Sequence, residues 1–255
     1  MSPTVITALI VAGIVGLFVI GYLNHMVENS KLEKARLRAD LNDRVRRARA
    51  VSENLPGQLM SPALKLLLSR FELQFGERLQ TLDKHNTGLQ ERLTELRAQV
   101  ELNEAIAVRN LPQPITNEAK AKEVRFLLEN LHSQITRAAQ ENLLPANDTK
   151  RWLGEIRHML VQLHFEFFSS LGQQNMQQGR PGQARLAYER GVQYLRKQPD
   201  PARYKHQLRE LEQMLARANA VVLEQTQPEN GEDSELAEGL KSLDDNDWKK
   251  KNVYD

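Results

Sequence analysis

Residues Val5 to Leu23, VITALIVAGIVGLFVIGYL, form a run of nineteen without a charged side chain. As an α-helix such a run is about 28 Å long at ~1.5 Å per residue, close to the ~30 Å hydrocarbon core of a bilayer. A cleaved signal peptide would want a basic residue ahead of the run and a small-residue cleavage site after it. Neither is there, since no Lys or Arg precedes Lys31. The run therefore predicts a transmembrane helix at 5–23 behind a short exterior segment at 1–4. Ala8, Ala12 and Gly16 recur every four residues on one face of it. Small residues at that spacing let two helices approach, so they mark a candidate dimer seam within the membrane.

The adjoining segment sets the orientation. Lys31 to Ala50 carries eight Lys/Arg against Glu33, Asp40 and Asp43. Beside a bilayer, that charge predicts a basic juxtamembrane helix at 24–54, attracted to anionic lipid headgroups. The positive-inside rule then puts the N-terminus outside and the bulk in the cytoplasm, as a single-pass protein of a bacterial inner or plasma membrane. The whole chain has a formal charge of only +2, so no nucleic-acid partner is expected. The absence of cysteine excludes disulfides and thiolate metal sites.

Beyond the basic segment the patterns are helical throughout and alternating strand patterns are absent, which predicts an all-α fold. Asn54-Leu55-Pro56-Gly57 marks a break, and Ser61-Pro62 supplies an N-cap with proline at the first helical position. Leu79, Leu82, Asn86, Leu89, Leu93, Leu96 and Val100 then recur at alternating intervals of three and four. Residues 61–110 can therefore be read in two ways. One is a coiled coil with Asn86 buried in the seam. The other is a helical hairpin turning at residues 85–88, with Thr87 capping the second helix and Gln90 completing a capping box. Residues 117–226 predict a helical domain. Its first helix runs from about Asn117 to Asn142, with Val124, Leu127, Leu128, Leu131 and Ile135 as its apolar face. The next is capped by Asp148 and carries Trp152, Ile156, Met159, Leu160, Leu163 and Phe167. Short connections make such helices antiparallel neighbours.

Two E-x-x-H pairs, Glu129/His132 and Glu155/His158, are the only metal-ligating pattern in this region. Each pair shares a helix face, as in carboxylate-bridged di-iron bundles. Those bundles need further inward-facing carboxylates from two other helices, and none is evident here, so no metal and no cofactor is expected. Phosphate-binding glycine loops, H-E-x-x-H and serine nucleophile elbows are also absent.

Residues 165–198 have a different character. Phe168, Leu171-Gly172, Gly179, Ala184 and Tyr188 fall at the offsets of a tetratricopeptide repeat (TPR), and the stretch resembles that family. The family pattern is incomplete, since Asn175 stands where helix A usually has an aromatic and Gly191 where alanine is usual. The resemblance implies a hairpin in which Phe168 and Tyr188 fill the space left by small residues, with no second repeat on either side. A single repeat cannot bury both faces, so its neighbours must cover it. The segment with Leu208, Leu211, Met214, Leu215, Ala218 and Val222 resembles the helix that closes TPR arrays. Partner contacts are expected at Asn175, Gln178 and Arg185. Residues 227–255 carry nine acidic residues against four lysines and predict a disordered acidic tail, in which Trp248 and Tyr254 are candidate docking residues.

Taken together, these features predict a membrane-anchored helical scaffold that binds partner proteins through a TPR-like surface and self-associates, without enzymatic activity. A metal-dependent bundle enzyme using the E-x-x-H pairs and an envelope oligomerisation protein are the alternatives.

Overall fold

The computed structural model describes residues 3–226, of which 3–20, 104 and 226 are described as backbone only. Among the described residues the protein is all-helical. Seven α-helices follow one another: α1 Pro3–Asn54, α2 Pro62–Leu82, α3 Thr87–Glu101, α4 Glu118–Gln140, α5 Ala146–Gln177, α6 Pro181–Arg196 and α7 Lys205–Thr226. They form two compact units, one up to Ser170 and one from Leu171.

Among the described residues no helix is long and apolar enough to cross a membrane. This corrects the expected transmembrane helix at 5–23, and with it the single-pass topology and the membrane location. The side chains of 5–20, including Ala8, Ala12 and Gly16, lie outside the described residues, as does all of 227–255 with Trp248 and Tyr254. The helix that contains the apolar run continues without a break through the charged segment at 31–50. There its role is also different from the one expected. Leu41, Val45, Ala48 and Val51 are all buried in the core of the first unit, so this length of α1 packs on protein rather than lying along a lipid surface.

The first unit is built around that face. α1 packs on α2 and α4, and α2 packs on α3. Its core gathers Leu64, Leu68, Phe71 and Phe75 from α2, Val124, Leu128, Leu131 and Ile135 from α4, and Trp152, Ile156 and Leu163 from α5. The charges of α1 flank this core in specific pairs. The Arg44 guanidinium donates to both carboxylate oxygens of Glu141 at 2.7 and 2.5 Å and lies 5.0 Å from the centre of the Phe75 ring. That hydrogen-bonded cation holds the Glu141 carboxyl below its usual range. Arg137 adds a two-point pair with Asp40 at 2.9 and 3.0 Å, tying α4 to α1 again.

Within residues 61–110, α2 and α3 form a helical hairpin, α2 packing on α3. Ser61 caps α2 by accepting from the Leu64 N–H at 3.1 Å, with Pro62 opening the helix. The chain turns at residues 83–86, and Asn86 rather than Thr87 caps α3, accepting from the Leu89 N–H at 3.0 Å. Gln90 donates to the Lys84 carbonyl instead of completing a capping box. The heptad-like leucines are accounted for within the chain, with Leu79, Leu93 and Leu96 buried and Leu82 and Leu89 packed against the core. An asparagine engaged at a helix start cannot set the register of a coiled coil, and leucines already covered offer no seam.

α4 begins after Asn117, which accepts from the Lys120 N–H at 2.8 Å. α5 starts two residues ahead of the expected cap, so Asp148 lies within its first turn, where a carboxylate suits the partial positive charge of the helix end. α5 then runs unbroken for 32 residues. The part of the TPR-like stretch expected as a separate first helix is the last portion of this long one.

Candidate functional site

The second unit consists of the end of α5, α6 and α7, and its packing follows from small residues. Nothing but hydrogen fits at position 172, because a Cβ there would fall 2.2 Å from Tyr188 Cε1 on α6. Tyr188 is buried at 4% exposure, and burial pushes its phenol above the ordinary value. Ala184, Ala187, Gly191, Val192 and Leu195 complete the inward face of α6. α7 packs along α6 and contributes Leu211 and Ala218, both fully buried. Between α5 and α6 the chain reverses at Gly179, whose φ of +69° is the left-handed conformation glycine adopts without strain. The Arg180 N–H reaches back to the Asn175 carbonyl at 2.9 Å across this turn.

The residues of the family-like pattern are therefore placed as follows. Gly172, Ala184 and Tyr188 meet within the hairpin, and Gly179 makes its turn. Leu171 is half-buried. Phe168 lies at the end of the first unit, its ring 5.4 Å from Phe167 and 6.5 Å from His164. Of the expected partner contacts, Gln178 and Arg185 are exposed, whereas Asn175 is half-buried and its amide donates to the Leu171 carbonyl at 2.8 Å. Asn175 is thus engaged with its own helix.

The outward face of α6 was not anticipated as a whole from the sequence. Leu186 is 48% exposed there, flanked by the exposed Arg185 and Arg190. The signal was present, because these positions fall between Ala184, Ala187 and Tyr188 on the helix and must point away from the hairpin. Residues 171–226 carry nine Lys/Arg and five Asp/Glu, so this helical stretch is basic.

The E-x-x-H pairs do not converge. Glu129 and His132 are exposed on α4, where Glu129 is paired with Arg125 at 2.8 Å. Glu155 and His158 are half-buried on α5 and line a cleft of about 430 Å³ with Gln58, Met60 and Trp152. Among the described residues no group of three or more His, Asp or Glu is placed to hold a metal ion.

A second polar cleft, of about 320 Å³, lies where α1 ends against α2, α3 and the segment after α3. Lys65, Arg92 and Arg109 line it, with Glu53 as the one carboxylate among its described lining residues. Behind it Glu72 is buried between Arg49 and Arg92. None of these groups was linked by the sequence, because they come together from three separate segments.

No family model matches this chain, and no curated protein or solved structure matches it either.

Proposed function

We propose that this chain is a helical scaffold that binds an acidic segment of a partner protein on the outward face of α6, without enzymatic chemistry of its own. The observation that carries this reading is the exposed Leu186 set between Arg185 and Arg190, on a helix whose opposite face is locked into the hairpin. An apolar side chain flanked by guanidinium groups suits a partner offering carboxylates around an apolar anchor, and arginine is enriched among residues that dominate binding energy. The TPR-like features of the hairpin point the same way, since the resemblance implies a peptide-binding role. Gln178 lies at the turn leading into this face and Arg185 belongs to it.

A photo-crosslinking residue in place of Leu186, in cells producing the full chain, is expected to give discrete adducts. Combining Arg185→Glu with Arg190→Glu should abolish them. Equal adducts from the exposed Leu111 of the first unit would sink the reading.

Self-association is a second reading with its own observation. Residues 21–39 of α1 are exposed along their whole length and include Tyr22, Leu23, Met26, Val27, Leu32 and Leu37. A lone helix with this many exposed apolar residues suits pairing with a second copy. Sedimentation of the full chain should show a dimer that Leu23→Glu with Val27→Glu converts to monomer. A chain already monomeric at micromolar concentration would remove this reading and leave the first intact.

A further inference from the structure

The cleft at the end of α1 is lined by three cations, one carboxylate and three apolar residues among its described lining. Lys65, Arg92, Arg109 and Glu53 supply its charged lining, with Arg92 Nη2 4.0 Å from Glu53 Oε1, and Leu102, Ile106 and Ala107 supply apolar lining. The three cations are not equivalent. Arg92 is committed to its neighbours: Nε and Nη2 donate to the two oxygens of Glu72 at 2.9 and 3.0 Å, and Nη1 donates to Glu95 at 3.3 Å. It supplies charge in a fixed place but has few donors left. Lys65 is half-buried and makes one bond, to the Ser52 carbonyl at 3.0 Å, which leaves two of its three N–H groups. Asn110 meanwhile holds the end of α1 by donating to the carbonyls of Ser52, Glu53 and Leu55.

The charges are also unbalanced. The Lys65 ammonium is pushed below its ordinary value by burial first. Glu53 opposes this, Arg92 adds to it, Glu72 opposes it, and Arg109 adds again. Glu72 is shared with Arg49 on its far side, which weakens its claim on the cleft. Burying a cation with other cations nearby is unfavourable unless something of opposite sign completes the site. A volume of about 320 Å³ is at the small end of ligand pockets.

We propose that this cleft binds a small organic oxyanion, a carboxylate or phosphate group on an apolar body, with Lys65 and Arg109 on the oxyanion and Leu102 and Ile106 against the body. The half-buried Lys65 supplies a point charge, and the exposed Arg109 supplies a guanidinium fork for the head group. This site lies in the first unit and does not depend on the α6 surface.

Calorimetric titration of the full chain with benzoate and with phenyl phosphate tests it, and benzyl alcohol serves as the neutral body. At least one anion is expected to bind saturably, and the one that binds tighter identifies the head group. Benzyl alcohol should give no saturable heat. Both Lys65→Gln and Arg109→Gln are expected to weaken binding by ~10-fold or more, the loss of one charge-assisted hydrogen bond. If Lys65→Gln does not fold, Arg109→Gln, at an exposed position, decides alone. Failure of both anions to saturate below roughly 10 mM, or an affinity unchanged in a folded variant of either residue, overturns the proposal.

Discussion

Glu72→Ala is expected to destabilise the first unit by about 3–5 kcal/mol, the usual cost of removing one member of a buried ionic cluster. The side chain of Glu72 is 2% exposed and accepts three hydrogen bonds, one from Arg49 and two from Arg92. Removing it strands the half-buried Arg92 guanidinium and takes the carboxylate from the more exposed Arg49, and it unties α2 from both α1 and α3. Glu77→Ala is the comparison, because Glu77 also pairs with an arginine of α3, Arg97, but about half of each side chain is exposed. An exposed pair is worth about 1 kcal/mol or less. The measurement is the midpoint of denaturant unfolding at unchanged slope. Pairing Glu72→Met with Arg92→Met should cost less than Glu72→Met alone, since the second change removes a stranded charge. Equal midpoints for Glu72→Ala and Glu77→Ala would show that the buried cluster does not hold the three helices together.

That cluster also shows where sequence reading runs out. Local chemistry was legible: Ser61-Pro62 starts α2, and the apolar face from Val124 to Ile135 is the buried face of α4. Each of those depends on residues within a few turns of one another. Near-equivalent alternatives were harder, and the structure settled them by a residue or two. Asn86 and Thr87 are both good caps, and Asn86 is the one used, with Leu93 buried behind it. Asp148 was a sensible cap, yet nothing in residues 144–147 stops the helix from starting earlier once Leu143 and Leu144 pack on the core.

In residues 31–50 high charge density and a core face share one helix. Leu41, Val45, Ala48 and Val51 are spaced by four, three and three, a core stripe that eight basic residues concealed. Contacts between distant segments left no trace in the sequence at all. Lys65 and Arg109 are 44 positions apart, and only the hairpin of α2 and α3 makes them neighbours. In the second unit the small residues were legible because the space they leave is filled by one named ring. On the outward face Arg185 was legible from its place in the hairpin, and Leu186 and Arg190 share that face by their spacing against Ala184, Ala187 and Tyr188.

Substitution at that small-residue contact should have the other large effect. In an open helix, Gly→Ala stabilises by ~1 kcal/mol because alanine loses less backbone entropy on folding. Gly154, also within α5, has nothing within 4 Å of the place an added Cβ would take, so Gly154→Ala is expected to raise stability by about that amount. At Gly172 the same helix gives the opposite sign. An added Cβ would lie 2.2, 2.4 and 2.7 Å from three carbons of the Tyr188 ring, and that ring is rigid and enclosed. Gly172→Val should therefore cost the second unit ~3 kcal/mol, since overpacking outweighs propensity. Tyr188→Leu in the Gly172→Val background should recover part of this loss, because it removes the ring carbons the new methyls strike. Neutral behaviour of Gly172→Val, or no recovery in the double variant, would mean that the two helices do not meet at this contact. The same variants bear on the partner surface. Gly172→Val forces α6 outward, so crosslinking through position 186 should fall with it and return in the double variant, whereas Gly154→Ala should leave it unchanged.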